Sequence, residues 1–543
     1  MPTHHDRKLI GDRWVRWDDA RAADAYARGW WVRATLADAL RDAAQRTPQR
    51  VALVDGDRRL DCQSLCQQAT TLAHALHARI PPGSVVSFML PNWHEAAVIY
   101  LAATLAGMAA NPILPSMRDR ELRFILEDAD SRMIFAPSHF GRYDYTAMLR
   151  RVTSQLESPP DVVVVRGDPG DHQIPFATLL TQQTVTRSLP ALNPDAVRMI
   201  LYTSGTAGRP KGVLHTHNSI YALIRQIGHH WLVEDGDVFL VASPVAHIGG
   251  SIYAFECPLL LGTTAVLMDR WNGDDAVKLM QTERCTHMAG ATPFLEQLLT
   301  AAQRAGTHLP DLKLFVCGGA SVPPSLIHRA AAYFESAVVT RVYGSTEVPV
   351  TTIGAPLHRG HAADTDGHIG LADIKLAARN ADADAGEICV RGPQMLVGYQ
   401  HPEDEAESFD AEGYFRTGDL ARWVDDEYLV VTGRAKDIII RNGENISPKE
   451  VEDILTNHPG IAEIAIVGLP DDRTGERACA VVVPSATPDP ELDIAGLRSF
   501  LEQEGVARFK VPEQVVIWDV LPKNDAGKIL KHQIKAALMK ADQ

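Results

Sequence analysis

Short apolar runs alternate with segments of helical period through most of the chain. Runs at residues 51–54 and 85–90 read as strands, while the spacing of apolar positions predicts helices over 64–78 and from Glu95 onward. The alternation returns with apolar runs at 199–202, 237–242, 265–268, 314–317 and 338–342. Strands separated by helices favour parallel pairing, so the pattern predicts an α/β fold with two stacked α/β layers. From about Ala385 the texture changes to short strands and turns, at 386–392 and 427–434, which predicts a β-barrel-like module closing a large N-terminal domain.

A further change follows at 433–437, Gly-Arg-Ala-Lys-Asp, which is polar and glycine-led between two apolar strands and suits a hinge. Beyond it, Ser447 as N-cap, Pro448 at the first helical position and Glu450 as partner read as a capping box. Val451, Ile454 and Leu455 supply the apolar face before Pro459, and strands at 462–467 and 478–483 complete a small, mobile α+β domain. The expected division is 1–433 for the large domain, 434–437 for the hinge and 438–543 for the C-terminal lid.

The longest uncharged helical candidate, 96–110, stops at Asn111-Pro112, short of the roughly 20 residues a membrane span requires. It is expected to be a buried core helix, and no membrane span is expected. The N-terminus is charged and has no apolar h-region, so no signal peptide is read there. At 543 residues the chain exceeds what one core serves, and two or more domains are expected. Its seven cysteines are scattered, with no C-x-x-C pair, which suits a reducing, cytoplasmic setting and argues against a structural zinc site. A formal net charge of −15 argues against a nucleic-acid partner. An acidic protein that holds an anion must concentrate cations locally, which raises the interest of Lys211, Arg434, Lys436 and Lys528.

The stretch 199–212, MILYTSGTAGRPKG, runs from an apolar strand into a loop of hydroxyls, glycines and one lysine. Gly205, Gly208 and Gly212 let backbone N–H groups approach an anion, Thr203, Ser204 and Thr206 add hydroxyls, and Lys211 adds a mobile charge. That composition suits a nucleoside triphosphate. It is not a P-loop, because the lysine precedes a glycine and no Ser or Thr follows it.

Three further stretches supply what the loop lacks. In VYGSTE (342–347), Tyr343 offers a ring for a purine, Thr346 a hydroxyl for a carboxylate or phosphate oxygen, and Glu347 an oxygen ligand for Mg²⁺. In YFRTGDL (414–420), Asp419 follows a glycine turn, where its carboxylate can accept from two ribose hydroxyls. In PKNDAGKILK (522–531), Lys528 is presented from a polar turn.

Taken in order, and with 433–452 added, these stretches resemble the adenylate-forming superfamily of acyl-CoA synthetases, aryl-acid adenylating enzymes, peptide-synthetase adenylation domains and beetle luciferase. The resemblance covers nearly the whole chain. It implies that the loop around Lys211 holds the β- and γ-phosphates, and that Tyr343 stacks on adenine beside Gly318, Gly319 and Ala320. It also implies that Glu347 binds Mg²⁺, that Asp419 and Arg434 bind ribose, and that Lys528 bridges the substrate carboxylate and the α-phosphate without transferring a proton. ATP and an acid then give an acyl-adenylate and pyrophosphate, and the thiol of coenzyme A displaces AMP. In related enzymes the small domain rotates between the steps; Lys436 matches the hinge position and Gly443 the pantetheine passage. One departure is Ala207, where a second threonine is common.

SPVAHIGGSIY (243–253) resembles one wall of the acyl pocket, with His247 near the carboxylate and Ile248, Gly249 and Gly318 beside the acyl body. No aspartate stands there for an amino group, and Ile248 replaces the asparagine that hydroxybenzoate enzymes aim at a ring hydroxyl. An apolar wall would leave that hydroxyl unpaired, a cost of about 1–3 kcal/mol. Residues 90–130 look most like the cyclohexanecarboxylate-CoA ligases. The expected substrate is an alicyclic, steroid-derived or medium-chain acid. The alternatives are an aryl-acid enzyme loading a carrier protein and a luciferase-like oxidoreductase. A homodimer is compatible with this reading.

Overall fold

A computed structural model of the protein describes residues 7–181, 188–203, 209–319, 322–357, 359–378, 385–441, 444–471, 474–485, 492–504, 506, 508–524 and 527–541. Two seven-stranded sheets form the large domain. The first runs, edge to edge, Ile174–Pro175, Asp161–Val164, Ser131–Ala136, Val85–Phe88, Ala109–Pro112, Val197–Thr203, Lys211–Thr216. The second runs Val338–Arg341, Leu314–Cys317, His287–Gly290, Val238–Val241, Thr264–Leu267, Val51–Asp55, Arg58–Asp61. Each is parallel except for one antiparallel pair at its end. The alternation of apolar runs and helices in the sequence is therefore the alternation of parallel strands and crossovers.

The helix His94–Leu105 is buried over its whole length, and one apolar cluster joins it to both sheets through Val86 and Phe88 on one side and Leu53, Phe239 and Val241 on the other. A helix that is apolar all round has to sit in a core, and this one is the shared core of the two layers. The structure corrects its expected length. The helix ends at Leu105, Gly107 takes a left-handed φ of +67°, and Ala109–Pro112 is a strand parallel to Val85–Phe88. Alanine-rich stretches are apolar at either period, and the glycine decides the break.

Glu95, Arg198 and Glu256 enter this core, and each is paired. Glu95 takes a bidentate contact from Arg166, at 2.8 and 2.7 Å, and the guanidinium packs 4.0 Å over Trp93. Deeper, Arg198 and Glu256 lie 2.7 Å apart, both fully buried, and the Tyr100 hydroxyl donates to the same Glu256 oxygen at 2.6 Å.

The third sheet is an antiparallel meander of Asp373–Ala378, Gly386–Arg391, Phe415–Val424 and Tyr428–Arg434, the β-rich module that follows the α/β layers. A fourth sheet belongs to the smaller C-terminal domain, with Ile461–Asp471 and Gly475–Pro484 as its long hairpin and Gln514–Ile517 alongside. Helix Pro448–Leu455 starts where expected, but no capping box forms. The Ser447 hydroxyl donates to the Thr432 carbonyl at 2.5 Å, and Glu450 pairs with Lys510 at 2.6 Å. The tertiary partners outcompete the local cap. The turn that carries Lys528 also touches the large domain: Gly527 has φ +78°, and a Cβ there would fall 2.9 Å from Pro293. Among the described residues no helix is long and apolar enough to cross a membrane.

Removing one member of a buried ion pair leaves an uncompensated charge. Arg198→Met is expected to lower stability by about 3–5 kcal/mol in urea unfolding, and Arg198→Met with Glu256→Leu to recover at least half of that loss.

Candidate active site

The meander places Asp419 and Arg434 as register partners on adjacent antiparallel strands, and their side chains close an ion pair of 3.0 Å. The Tyr343 hydroxyl donates to the other Asp419 oxygen at 2.7 Å, so one carboxylate ties the end of the second sheet to the third. Burial, reinforced by the Asp419 charge, raises the Tyr343 phenol well above its ordinary range and keeps it a donor. Gly318 packs against Val342 so closely that a Cβ would sit 2.8 Å from its carbonyl oxygen, while a Cβ on Gly319 would meet nothing within 4 Å. The adjoining ends of these two strands thus present Gly318, Gly319 and Tyr343 together.

Lys528 comes to the same place from the C-terminal domain. Asn524 holds its backbone N–H at 2.8 Å. Burial in this half-exposed turn and the Arg434 guanidinium depress its ammonium to about 8, against an opposing pull from Asp419 and Asp437. Lys436 is lowered by burial and by Arg434 in the same way. Residues 434–437 form a turn, closed by the Asp437 N–H on the Arg434 carbonyl at 3.0 Å.

A second group gathers Lys211 and Glu347 around Tyr399. The Lys211 ammonium lies 5.0 Å above the Tyr399 ring, and the Tyr399 hydroxyl donates to Glu347 Oε1 at 3.0 Å. Lys211 also donates to the Asp404 carbonyl at 3.2 Å, with the Asp404 carboxylate 3.8 Å away. Thr203 faces Lys211 in the strand register. Thr346 is held from behind: its carbonyl accepts from His215 Nε2 at 2.7 Å, and burial depresses that imidazole to about 4, so it is neutral at ordinary pH.

The third element is the loop after Val238–Val241. Asn92 donates to the Val241 and Ser243 carbonyls, at 3.1 and 2.9 Å, and accepts from the Val245 N–H at 2.9 Å. Gly250 has to lack a side chain, since a Cβ would fall 2.1 Å from the Pro244 carbonyl oxygen; beside Gly249 there is open space. His247 precedes the short helix Ile248–Ser251, its Nε2 buried and without a partner among the described residues, and burial lowers its pKa. A π-helical turn, Ile252–Glu256, follows and carries Glu256 to Arg198.

Ser204, Gly205, Thr206, Ala207, Gly208, Ala320 and Gly443 lie outside the described residues. The structure groups Tyr343, Asp419, Arg434 and Lys528, and separately Lys211, Tyr399 and Glu347. Sequence reasoning missed Tyr399, His215 and Asn92. Asn92 stands in the run LPNWHEAA (90–97), where a polar residue interrupts an apolar stretch; Tyr399 and His215 carry no such local signal.

Comparison with known proteins follows the same outline. A model described as AMP-binding enzyme matches residues 40–400, and one described as AMP-binding enzyme C-terminal domain matches 450–528. The chain is 34% identical to a medium-chain fatty-acid–CoA ligase of Escherichia coli, over 97% of this chain and 94% of the relative. It is 31% identical to a 3-[(3aS,4S,7aS)-7a-methyl-1,5-dioxo-octahydro-1H-inden-4-yl]propanoyl:CoA ligase of Rhodococcus jostii, over 92% and 98%. Among solved structures, ATP-bound MatB from Rhodopseudomonas palustris superposes with a TM-score of 0.83 at 25% identity, over 94% and 100%.

The buried His215 has a measurable signature. Its folded pKa of about 4 lies below the unfolded value of 6.5, so the unfolded chain takes up the proton first, and stability present above pH 6.5 is lost as pH falls toward 4. The loss from this group between pH 7 and pH 5 is about 2 kcal/mol. Urea unfolding of His215→Gln, which keeps a donor for Thr346 but does not titrate, should show an acid loss smaller by that amount.

Proposed function

The chain belongs to the AMP-binding enzyme family of adenylate-forming acid–thiol ligases, and from that premise we propose that it joins an alicyclic, steroid-derived or medium-chain carboxylic acid to coenzyme A through an acyl-adenylate. The observation that carries the reading is the meeting of Lys528 with Arg434 and Asp419, a cation from the small domain beside the predicted ribose pair of the large one. A carboxylate oxygen attacks the α-phosphorus of ATP, the bond to the bridging oxygen breaks, and pyrophosphate leaves. Negative charge grows on the equatorial oxygens, and the Lys528 ammonium stabilises it without giving up its proton. Asp419 and Arg434 hold the ribose, Tyr343 lies against the adenine beside Gly318 and Gly319, and Lys211 draws the leaving pyrophosphate. The donor set fits Mg²⁺, since Glu347 supplies a hard oxygen with its Oε2 uncommitted among the described residues; the ion would neutralise phosphate charge.

In the second step the thiol attacks the acyl carbon and AMP departs. Residues 434–437 are the pivot between a large domain of 1–433 and a lid of 438–543, and the resemblance assigns Gly443 to the passage of the thiol. The acid preference is supported by the apolar Ile248, by the open space at Gly249, and by relatives whose names carry a medium-chain acid and a fused-ring propanoate. The His247 Nε2, buried and without a partner among the described residues, is the group that meets the carboxyl end.

Pyrophosphate exchange into ATP across medium-chain acids, cyclohexanecarboxylate, hydrindane propanoates and hydroxybenzoates tests the acid. The apolar acids should exchange at least tenfold faster than salicylate, and the reverse ranking overturns this choice. AMP release on adding free CoA distinguishes a CoA ligase from an enzyme that requires a carrier protein. Lys528→Ala is expected to lose adenylation by 10²-fold or more while still converting a supplied acyl-adenylate.

The charged form of Lys528 is the useful one, and it is lost as pH rises through about 8. In exchange assays kcat/KM for the acid should therefore fall above that pH. Lys528→Arg stays charged, so its rate relative to the unsubstituted enzyme should rise between pH 7 and 9.5, whatever its absolute activity.

A further inference from the structure

Tyr399 stands between the two groups that the proposed function assigns to the triphosphate end. Its ring lies beneath the Lys211 ammonium and its hydroxyl donates to Glu347 Oε1, so one side chain touches both the cation and the carboxylate. The backbone around it braces the same two places. The Leu396 N–H donates to the Glu347 carbonyl at 2.7 Å, and the Gln400 N–H to the Gly212 carbonyl at 2.8 Å. Between these, Val397 and Gly398 pair with Leu214, which adds the segment to the edge of the strand that leaves the phosphate loop.

The brace is itself fixed. The Tyr399 N–H donates to Glu405 Oε1 at 3.0 Å, and the buried Glu405 carboxylate takes Arg7 at 2.5 Å and Arg16 at 3.4 Å from the N-terminal hairpin Arg7–Ile10 and Arg13–Arg16. Arg16 also donates through its backbone to the Val397 carbonyl at 2.7 Å. A buried carboxylate with two guanidinium partners and a backbone donor has one arrangement, and the tyrosine inherits it.

We propose that Tyr399 is a positioning residue for the metal–triphosphate complex. Its hydroxyl fixes the Glu347 rotamer so that Oε2 is presented to a divalent cation, and its ring holds Lys211 beside the phosphates. No atom of Tyr399 need touch ATP for this role.

The inference rests on the reading of Lys211 and Glu347 given above, and the test separates the two. Mn²⁺ binding to the enzyme–ATP complex is followed by the loss of free Mn²⁺ signal in electron paramagnetic resonance, for the unsubstituted enzyme, Tyr399→Phe, Tyr399→Leu and Glu347→Gln. A hydrogen bond to a charged group is worth enough that Tyr399→Phe should weaken Mn²⁺ by about tenfold with the KM for the acid unchanged. Tyr399→Leu, which also removes the ring, should in addition raise the KM for ATP severalfold. Glu347→Gln should abolish tight Mn²⁺ binding. If Glu347→Gln binds Mn²⁺ normally, the reading of Glu347 fails; if it does not, but Tyr399→Phe binds as the unsubstituted enzyme does, the positioning role alone is overturned. Tyr399→Phe is isosteric, and its thermal unfolding should stay within about 2 °C of the parent, so that a metal-specific loss is not a folding defect.

Discussion

Asp419 has to satisfy three cationic or donor groups from three parts of the chain, and much of the site's geometry depends on how it does so. One oxygen pairs with Arg434 across the strand register and the other accepts from Tyr343, which ends the second parallel sheet. Lys528 then approaches a locus where two cations already repel it. Asp419 and Asp437 offset part of that repulsion, and in the proposed function the nucleotide's phosphates offset more of it. On the proposed function, the C-terminal turn would be better held with the nucleotide present than without it, which would couple nucleotide occupancy to the position of the small domain.

At the end proposed for the phosphates, the same balance holds with one cation fewer. Lys211 leans on the Asp404 backbone and the Tyr399 ring, both of which attract an ammonium without neutralising it. In the proposed function this keeps Lys211 available for phosphate, since a close carboxylate partner would have to be displaced by every nucleotide. The Asp404 carboxylate stands 3.8 Å off and gives its shorter contact, 3.0 Å, to Arg209.

The sequence displayed the α/β layering because period and burial coincide: runs such as 314–317 are strands because four consecutive apolar residues suit a strand covered on both faces. It misjudged 96–110, where alanine suits either period, and 447–450, where Thr432 and Lys510, distant in sequence, took the capping groups. The candidate site was legible where chemistry is dense along the chain, as at Lys211, Tyr343-Glu347 and Asp419. Tyr399, His215 and Asn92 were not, because each matters through a contact made far away in sequence: Tyr399 to Glu347, His215 to Thr346 and Asn92 to the Val241–Val245 loop. A tyrosine that follows a single glycine looks the same whether it packs or positions.

The π-helical turn that carries Glu256 has a bearing on how this protein can diversify. Its last residue is locked to Arg198 and Tyr100, which belong to a strand of the first sheet and to the central helix, so that turn can change only in concert with two remote segments. Gly249, seven residues before Glu256, carries no such obligation and borders open space. If the loop borders the acid, as in the proposed function, new acid preferences are accessible through single steps at its front, while its back stays constant. Descendants of this chain would share one anchor and differ at the rim.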